Sequence, residues 1–233
     1  MVRAFDRIVI TVPDLAEATA QYCQLFGMQA SPQTQGQSQT AWFVLPNTVI
    51  ELVERAGEAA CIRGIVFDCA SAGATDSMFE NARGLDLRLC DGSLTGAARR
   101  SREAINASDF RVDHLVLRTA DAEACIALFA EQLGIRLALD KTVPEWGGRM
   151  LFFRTGKLTL EIIESAKNKD PVDNFWGIAY QCPELDDVAP QLAGRGVTVS
   201  EVRAGRKPGS RVATVKSHCL GIPTLLLQPP GPP

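Results

Sequence analysis

The sequence predicts an α+β fold built as a tandem repeat of one βαβ-type unit, and three observations carry that prediction. Residues 6–27, DRIVITVPDLAEATAQYCQLFG, align without a gap on residues 113–134, DHLVLRTADAEACIALFAEQLG, so that Asp6, Asp14 and Gly27 pair with Asp113, Asp121 and Gly134 at a constant offset of 107. Downstream, WFVLPNTVIELVE matches LFFRTGKLTLEIIE, and Glu51 and Glu54 pair with Glu161 and Glu164 at an offset of 110. A second unit type, RGIVFDCA at 63–70, recurs as WGIAYQCP at 176–183. Self-similarity at long spacing is the mark of stacked supersecondary units.

Each element follows from local physics. Ile8, Ile10 and Val12, like Leu115 and Leu117, alternate as in a strand buried on one face. Asp14 and Asp121 are plausible N-caps for the Ala-rich stretches that follow. Gly27 and Gly134 suit the left-handed residue that closes a helix. Pro46–Asn47 and Gly156–Lys157 mark tight turns between paired strands. The segments opening at 63 and 176 each run into a helix-like stretch, an Arg-Gly pair and a further strand; the last unit closes with RVATVKS and IPTLLLQ as strands. Its earlier counterpart gives way after LDLRLC to DGSLTGAARRSREAINASDF, which is polar and rich in turn formers. That stretch is expected to be a truncated unit running into a linker, dividing the chain into halves at 1–105 and 111–230.

The chain has 233 residues and a net charge of −3, against a general nucleic-acid binder, which needs a basic face. It lacks an apolar run of the ~18 residues needed to span a bilayer, and its N-terminus does not resemble a secretory signal. Seven widely spaced cysteines without a C-x-x-C pair suggest buried free thiols in a reducing cytoplasm. Phosphate-loop, Rossmann, serine-hydrolase-elbow and H-E-x-x-H signatures are missing, so those chemistries lose support.

The strand-opening D-H-L-V-L, the helix ending in L-G and the strand L-E-I-I-E resemble landmarks of the vicinal oxygen chelate superfamily, the glyoxalase/bleomycin-resistance/extradiol-dioxygenase group. The resemblance is clearest over residues 6–54 and 113–227. It implies tandem βαβββ modules that pair into curved mixed sheets around a cup, with helices outside and the second module truncated. It also implies a divalent metal (Mn, Fe, Co, Ni or Zn) held by residues of the first and last strands of the modules. Carried over by position, the third module supplies His114 and Glu161. The first has Arg7 in place of the histidine but keeps Glu51. The second has Gly64, and the fourth has Gly177 and Leu225, where ligands would stand. One His–Glu half-site and one orphan glutamate remain.

The residues admit more than one role. Strand alternation puts His114, Val116 and Arg118 on one face, and Thr159, Glu161 and Ile163 on one face of the matching strand. His114 is either a ligand or a structural histidine. Glu161, costly in an apolar strand unless partnered, is a ligand or catalytic carboxylate, or pairs with Arg118 or Arg149. Arg7 with Glu51 is better read as a structural ion pair. His218 is expected in a loop as an exposed or capping residue, with acid–base work at the cup mouth as the other reading. Trp146, Phe153, Trp176 and Tyr180 could form an apolar substrate wall or simply core. Arg99, Arg100 and Arg102 suit a solvated linker face better than a grip on an anionic tail.

Two functional classes follow. One is a glyoxalase-type lyase or isomerase acting on a small carbonyl or enolisable substrate, with a metal as Lewis acid and Glu161 and Arg118 as catalytic groups. The other is a metal-free small-molecule sequestration protein of the bleomycin-resistance type. Extradiol dioxygenase chemistry is disfavoured, because positions 177 and 225 do not complete a two-His-one-carboxylate set. The partners expected are a small molecule and, compatibly with the resemblance, a second copy of the chain; nucleic acid and membrane are not.

Overall fold

The computed structural model describes residues 1–35, 38–102, 109–165 and 172–231. The chain forms two mixed sheets. The first combines β1 (Val2–Val12), β2 (Ser31–Gln35), β3 (Ser38–Val44), β4 (Val49–Glu54), β5 (Cys61–Cys69), β6 (Ser77–Met78) and β7 (Asp86–Cys90) in the order β2-β3-β4-β1-β5-β7-β6. The second combines β8 (Arg111–Thr119), β9 (Arg136–Val143), β10 (Gly148–Thr155), β11 (Leu158–Ser165), β12 (Asn174–Gln181), β13 (Arg203–Ala204), β14 (Arg211–Val215) and β15 (Thr224–Gln228) in the order β13-β14-β15-β12-β8-β11-β10-β9. In both sheets the opening strands of consecutive modules pair antiparallel at the centre, β1 with β5 and β8 with β12. Each opening strand also runs parallel to the closing strand of its own module, as β1 with β4 and β8 with β11. The first module therefore pairs with the second, and the third with the fourth.

Helix α1 (Leu15–Phe26) starts where Asp14 accepts from the Glu17 N–H at 2.8 Å and ends at Gly27 in the left-handed region. Its repeat, α3 (Ala122–Ile126), starts where Asp121 accepts from the Ala124 N–H at 2.9 Å and continues as a π-helical turn over Ala127–Gln132. The turns around Pro46–Asn47 and Gly156–Lys157 join β3 to β4 and β10 to β11. The fourth module has its own helix, α4 (Leu185–Gly194).

The second module departs from expectation. No helix stands between β5 and β7 among the described residues; turns and the two-residue β6 fill that space. The polar stretch that follows is no solvated linker at its start. Residues Ser93–Arg102 form helix α2, which packs against β3 through Ala98 beside Trp42, Val44 and Val49. Part of the Arg99–Arg102 run is thereby removed from solvent: Arg99 Nη2 donates to the Asp6 carbonyl at 3.3 Å.

One hydrophobic core joins the halves. It takes Ile8, Ile10 and Val12 of β1 and Leu115 and Leu117 of β8, together with the apolar stripes of α1, α3 and α4. Phe26 of α1 meets Tyr180 of β12 edge-on at 5.1 Å, so the two modules' helical faces pack on each other. Tyr180 thus belongs to this core and not to a substrate wall. The opposite faces of both sheets are left to form cups. The seven cysteines are free thiols, with Cys69, Cys90, Cys125, Cys182 and Cys219 buried. Among the described residues no helix is long and apolar enough to cross a membrane.

Candidate functional site

The second sheet curves around an open cavity of about 1280 Å³. Alternation along β8 turns His114, Val116 and Arg118 into it, and β11 adds Glu161 and Ile163. The parallel register sets Glu161 beside Val116, between His114 and Arg118. Leu139, Met150 and Phe152 form an apolar wall from β9 and β10, while the β13–β14 hairpin lines the opposite side with Arg203, Arg206 and Lys207.

His114 and Glu161 face each other across this floor, with Nε2 and Oε2 3.8 Å apart. Behind the ring, Nδ1 lies 2.8 Å from Oδ2 of the neighbouring Asp113, which orients the imidazole. Burial pushes the Glu161 carboxyl above the ordinary carboxylate range, against the opposing pull of His114 and Arg206. Neither ion pair anticipated for Glu161 forms. Arg149 instead binds Asp140 and Glu123, with contacts of 2.6 Å to each. Arg118 lies over the Trp176 ring, its guanidinium carbon 4.2 Å from the centroid.

Of the aromatic wall anticipated from the sequence, Trp176 lines the cavity and Phe153 does not. Phe153 is fully buried against Phe129 on the other face of β10, and its neighbour Phe152 takes the cup position. Strand alternation makes the two faces exclusive. The side chain of Trp146 lies outside the described residues. His218 sits in the β14–β15 connection, with Nδ1 2.8 Å from Ser217 Oγ, and is not among the cavity-lining residues. Sequence reasoning passed over the three cations of RAGRKPGS; a basic run bracketed by turn residues was the available signal.

The divalent metal that the fold implies can be tested against these residues. Gly177 and Leu225, where further ligands would stand, do line the same cavity as His114 and Glu161. Neither carries a donor, and Gly177 is sterically closed to one: a Cβ there would lie 2.8 Å from the Pro223 carbonyl oxygen. Among the described residues no three His, Cys, Asp or Glu side chains are grouped to hold an ion. Two donors fall short of the three that catalytic zinc centres use. The set does not fit a complete metal centre.

The matched face of the first sheet is filled. Arg7, only 1% exposed, reaches Glu51 at 3.1 Å, Asp6 at 2.9 Å and Asp76 at 2.5 Å. Trp42 Nε1 donates to the second Glu51 oxygen at 2.9 Å. Burial pulls the Arg7 guanidinium down, but its carboxylate partners hold it above its ordinary range. Gly64 is closed to any side chain, since a Cβ would lie 2.0 Å from the Asp86 carbonyl oxygen. A polar recess of about 380 Å³ is what remains of this cup.

Comparison with known proteins agrees with this architecture. Two family models described as the Glyoxalase/Bleomycin resistance protein/Dioxygenase superfamily match residues 4–75 and 113–214. A 4-hydroxymandelate synthase variant from Streptomyces coelicolor is similar over 100% of this chain and 94% of its own, at 12% identity and a TM-score of 0.72. Methylmalonyl-CoA epimerase from Mycobacterium tuberculosis is similar over 57% of this chain and 96% of its own, at 18% identity and a TM-score of 0.46. No curated protein sequence matches the chain. The paired modules, two mixed sheets and cup define the vicinal oxygen chelate class. The chain belongs to the glyoxalase/bleomycin-resistance/dioxygenase superfamily.

Proposed function

We propose that the protein is a glyoxalase-like isomerase or lyase that moves a proton beside the carbonyl of a small enolisable substrate in its C-terminal cup, without a tightly held metal. The observation that carries this reading is the His114–Glu161 pair on the floor of a large cavity. Asp113, 2.8 Å from Nδ1, turns the Nε2 edge of His114 toward Glu161. Burial favours a proton on that carboxyl. At 3.8 Å the two side chains stand beyond hydrogen-bond reach of each other, which leaves both free to pass a proton to or from a substrate carbon or oxygen. Arg118 stands along the same strand face and holds the substrate rather than reacting.

Deuterium exchange into a panel of enolisable carbonyl compounds, followed by NMR, tests the reading. Glu161→Gln should lower exchange by about 10²–10⁴-fold, the usual worth of a positioned acid–base group. Exchange unaffected by Glu161→Gln sinks it. Metal content separates the metal-assisted version: purified wild type and His114→Ala should both carry negligible metal. Stoichiometric metal in the wild type that is lost in the variant would restore His114 and Glu161 as ligands. The breadth and apolar lining of the cavity also suit sequestration. A ligand that raises the melting temperature through chelator treatment, with no exchange on any compound, would favour that reading.

A further inference from the structure

Four cations converge on the C-terminal cup of a protein whose net charge is −3. Arg118, Arg203, Arg206 and Lys207 line the cavity, and Glu161 is the single carboxylate among the described residues that line it. Six arginines outside the cup, Arg3, Arg7, Arg83, Arg88, Arg149 and Arg211, form ion pairs with carboxylates. Among the described residues no carboxylate forms an ion pair with any of the four lining cations.

The backbone of the hairpin that carries the exposed Arg203, Arg206 and Lys207 is held in place. The Gly205 N–H donates to the Ser210 carbonyl at 2.9 Å, and the Ser210 N–H and hydroxyl donate to the Lys207 carbonyl at 2.9 and 2.5 Å. A Cβ on Gly205 would lie 2.4 Å from Ser210 Oγ, so the two residues approach closely across the hairpin that presents Arg206 and Lys207. Stacking on Trp176 orients the Arg118 guanidinium without using its N–H donors. A low-dielectric cleft lined by one sign of charge focuses its field on an incoming counter-ion. Leu139, Met150 and Phe152 stand on the other wall.

We propose that this cup takes a dianionic small molecule with an apolar body, whose carboxylates or phosphate are gripped by the Arg203–Lys207 hairpin and Arg118. The placement of its reactive carbon over His114 and Glu161 rests on the acid–base reading above; the anion grip does not.

Isothermal titration of the full chain with benzylmalonate, its dimethyl ester and phenyl phosphate tests the grip. At least one dianion should bind, and the better of the two identifies carboxylate or phosphate as the source. The neutral ester should bind at least about tenfold more weakly, and 500 mM salt should weaken dianion binding. The doubly substituted Arg206→Gln, Lys207→Gln variant, checked by circular dichroism, should lose about tenfold or more, the scale of one charge-assisted contact. Equal affinity for ester and diacid, undiminished binding by the double variant, or no binding of either dianion overturns the proposal. Glu161→Gln should keep or tighten dianion binding, and weaker binding by it counts against the grip. Dianion binding without isotope exchange would leave the grip standing and the acid–base reading fallen.

Discussion

The two cups start from matching strands and end as opposites. Arg7 and Glu51 occupy the positions of His114 and Glu161, and Trp42 opposite Glu51 corresponds to Phe152 opposite Glu161. In the first sheet the longer arginine reaches three carboxylates, and helix α2 closes the β3 end through Ala98 and through Thr95, whose hydroxyl donates to Asp6. In the second sheet the shorter histidine stops short of its glutamate, and the full set β13–β15 builds a wall rather than a plug. An arginine in place of the histidine, together with a truncated module, goes with a filled cup in the first sheet and an open cavity in the second. Buried ion pairs in the first cup serve stability only as a complete set, since each partner is costly once left alone. The second cup keeps Glu161 facing His114 at 3.8 Å and, among the described residues, four lining cations outside any ion pair, the kind of local departure that folds concentrate at functional sites.

That contrast can be broken or sharpened by mutation. The largest effect should come from Arg7→Met, which strands Asp6, Glu51 and Asp76 and should cost about 3–5 kcal/mol in urea unfolding. A loss below about 1 kcal/mol would mean the first cup is not held by its charges. Next, Gly64→Ala should destabilise more than Gly177→Ala, because its Cβ would meet backbone at 2.0 Å rather than 2.8 Å; overpacking of this kind costs about 1–3 kcal/mol. Equal thermal shifts for the two would contradict the closer strand approach in the first sheet. Thr95→Ala removes a donor from buried Asp6 and should cost about 1–3 kcal/mol. It should leave ligand binding in the C-terminal cup untouched.

The smallest effect has the opposite sign. The folded Glu161 carboxyl is raised by burial, so the folded state holds its proton to higher pH than the unfolded chain does. Its contribution to stability is therefore fully present below the unfolded carboxylate value of about 4.3 and is lost as pH rises through the folded value. Glu161→Gln should raise the melting temperature at neutral pH, with the gain shrinking toward acid. A gain independent of pH would show that packing, not ionisation, is responsible.

The repeat, the caps of the first and third modules' helices, the tight turns and most strand faces were legible in the sequence, because each depends on residues within a few positions of one another. Asp14, Asp121, Gly27 and Gly134 act as expected. Alternation correctly turned His114, Arg118 and Glu161 toward one cavity, and the Arg7–Glu51 pair followed from the same register. Of the two roles the sequence allows Phe153, substrate wall or core, the structure has core, because adjacent strand residues face opposite ways and Phe152 faces the cup. What the chain alone could not decide was every contact made across long sequence separation. The helix at Ser93–Arg102 has weak helix-forming signals of its own and gains its apolar partners, Trp42, Val44 and Val49, from β3. The clustering of Arg118 on β8 with Arg203, Arg206 and Lys207 on a distant hairpin needs the pairing of the third and fourth modules to bring them together. Local chemistry thus wrote the modules into the sequence. Which cup was filled and which stayed open was settled by tertiary packing, because charge neutralisation and cavity volume belong to residues that meet only when the sheets assemble.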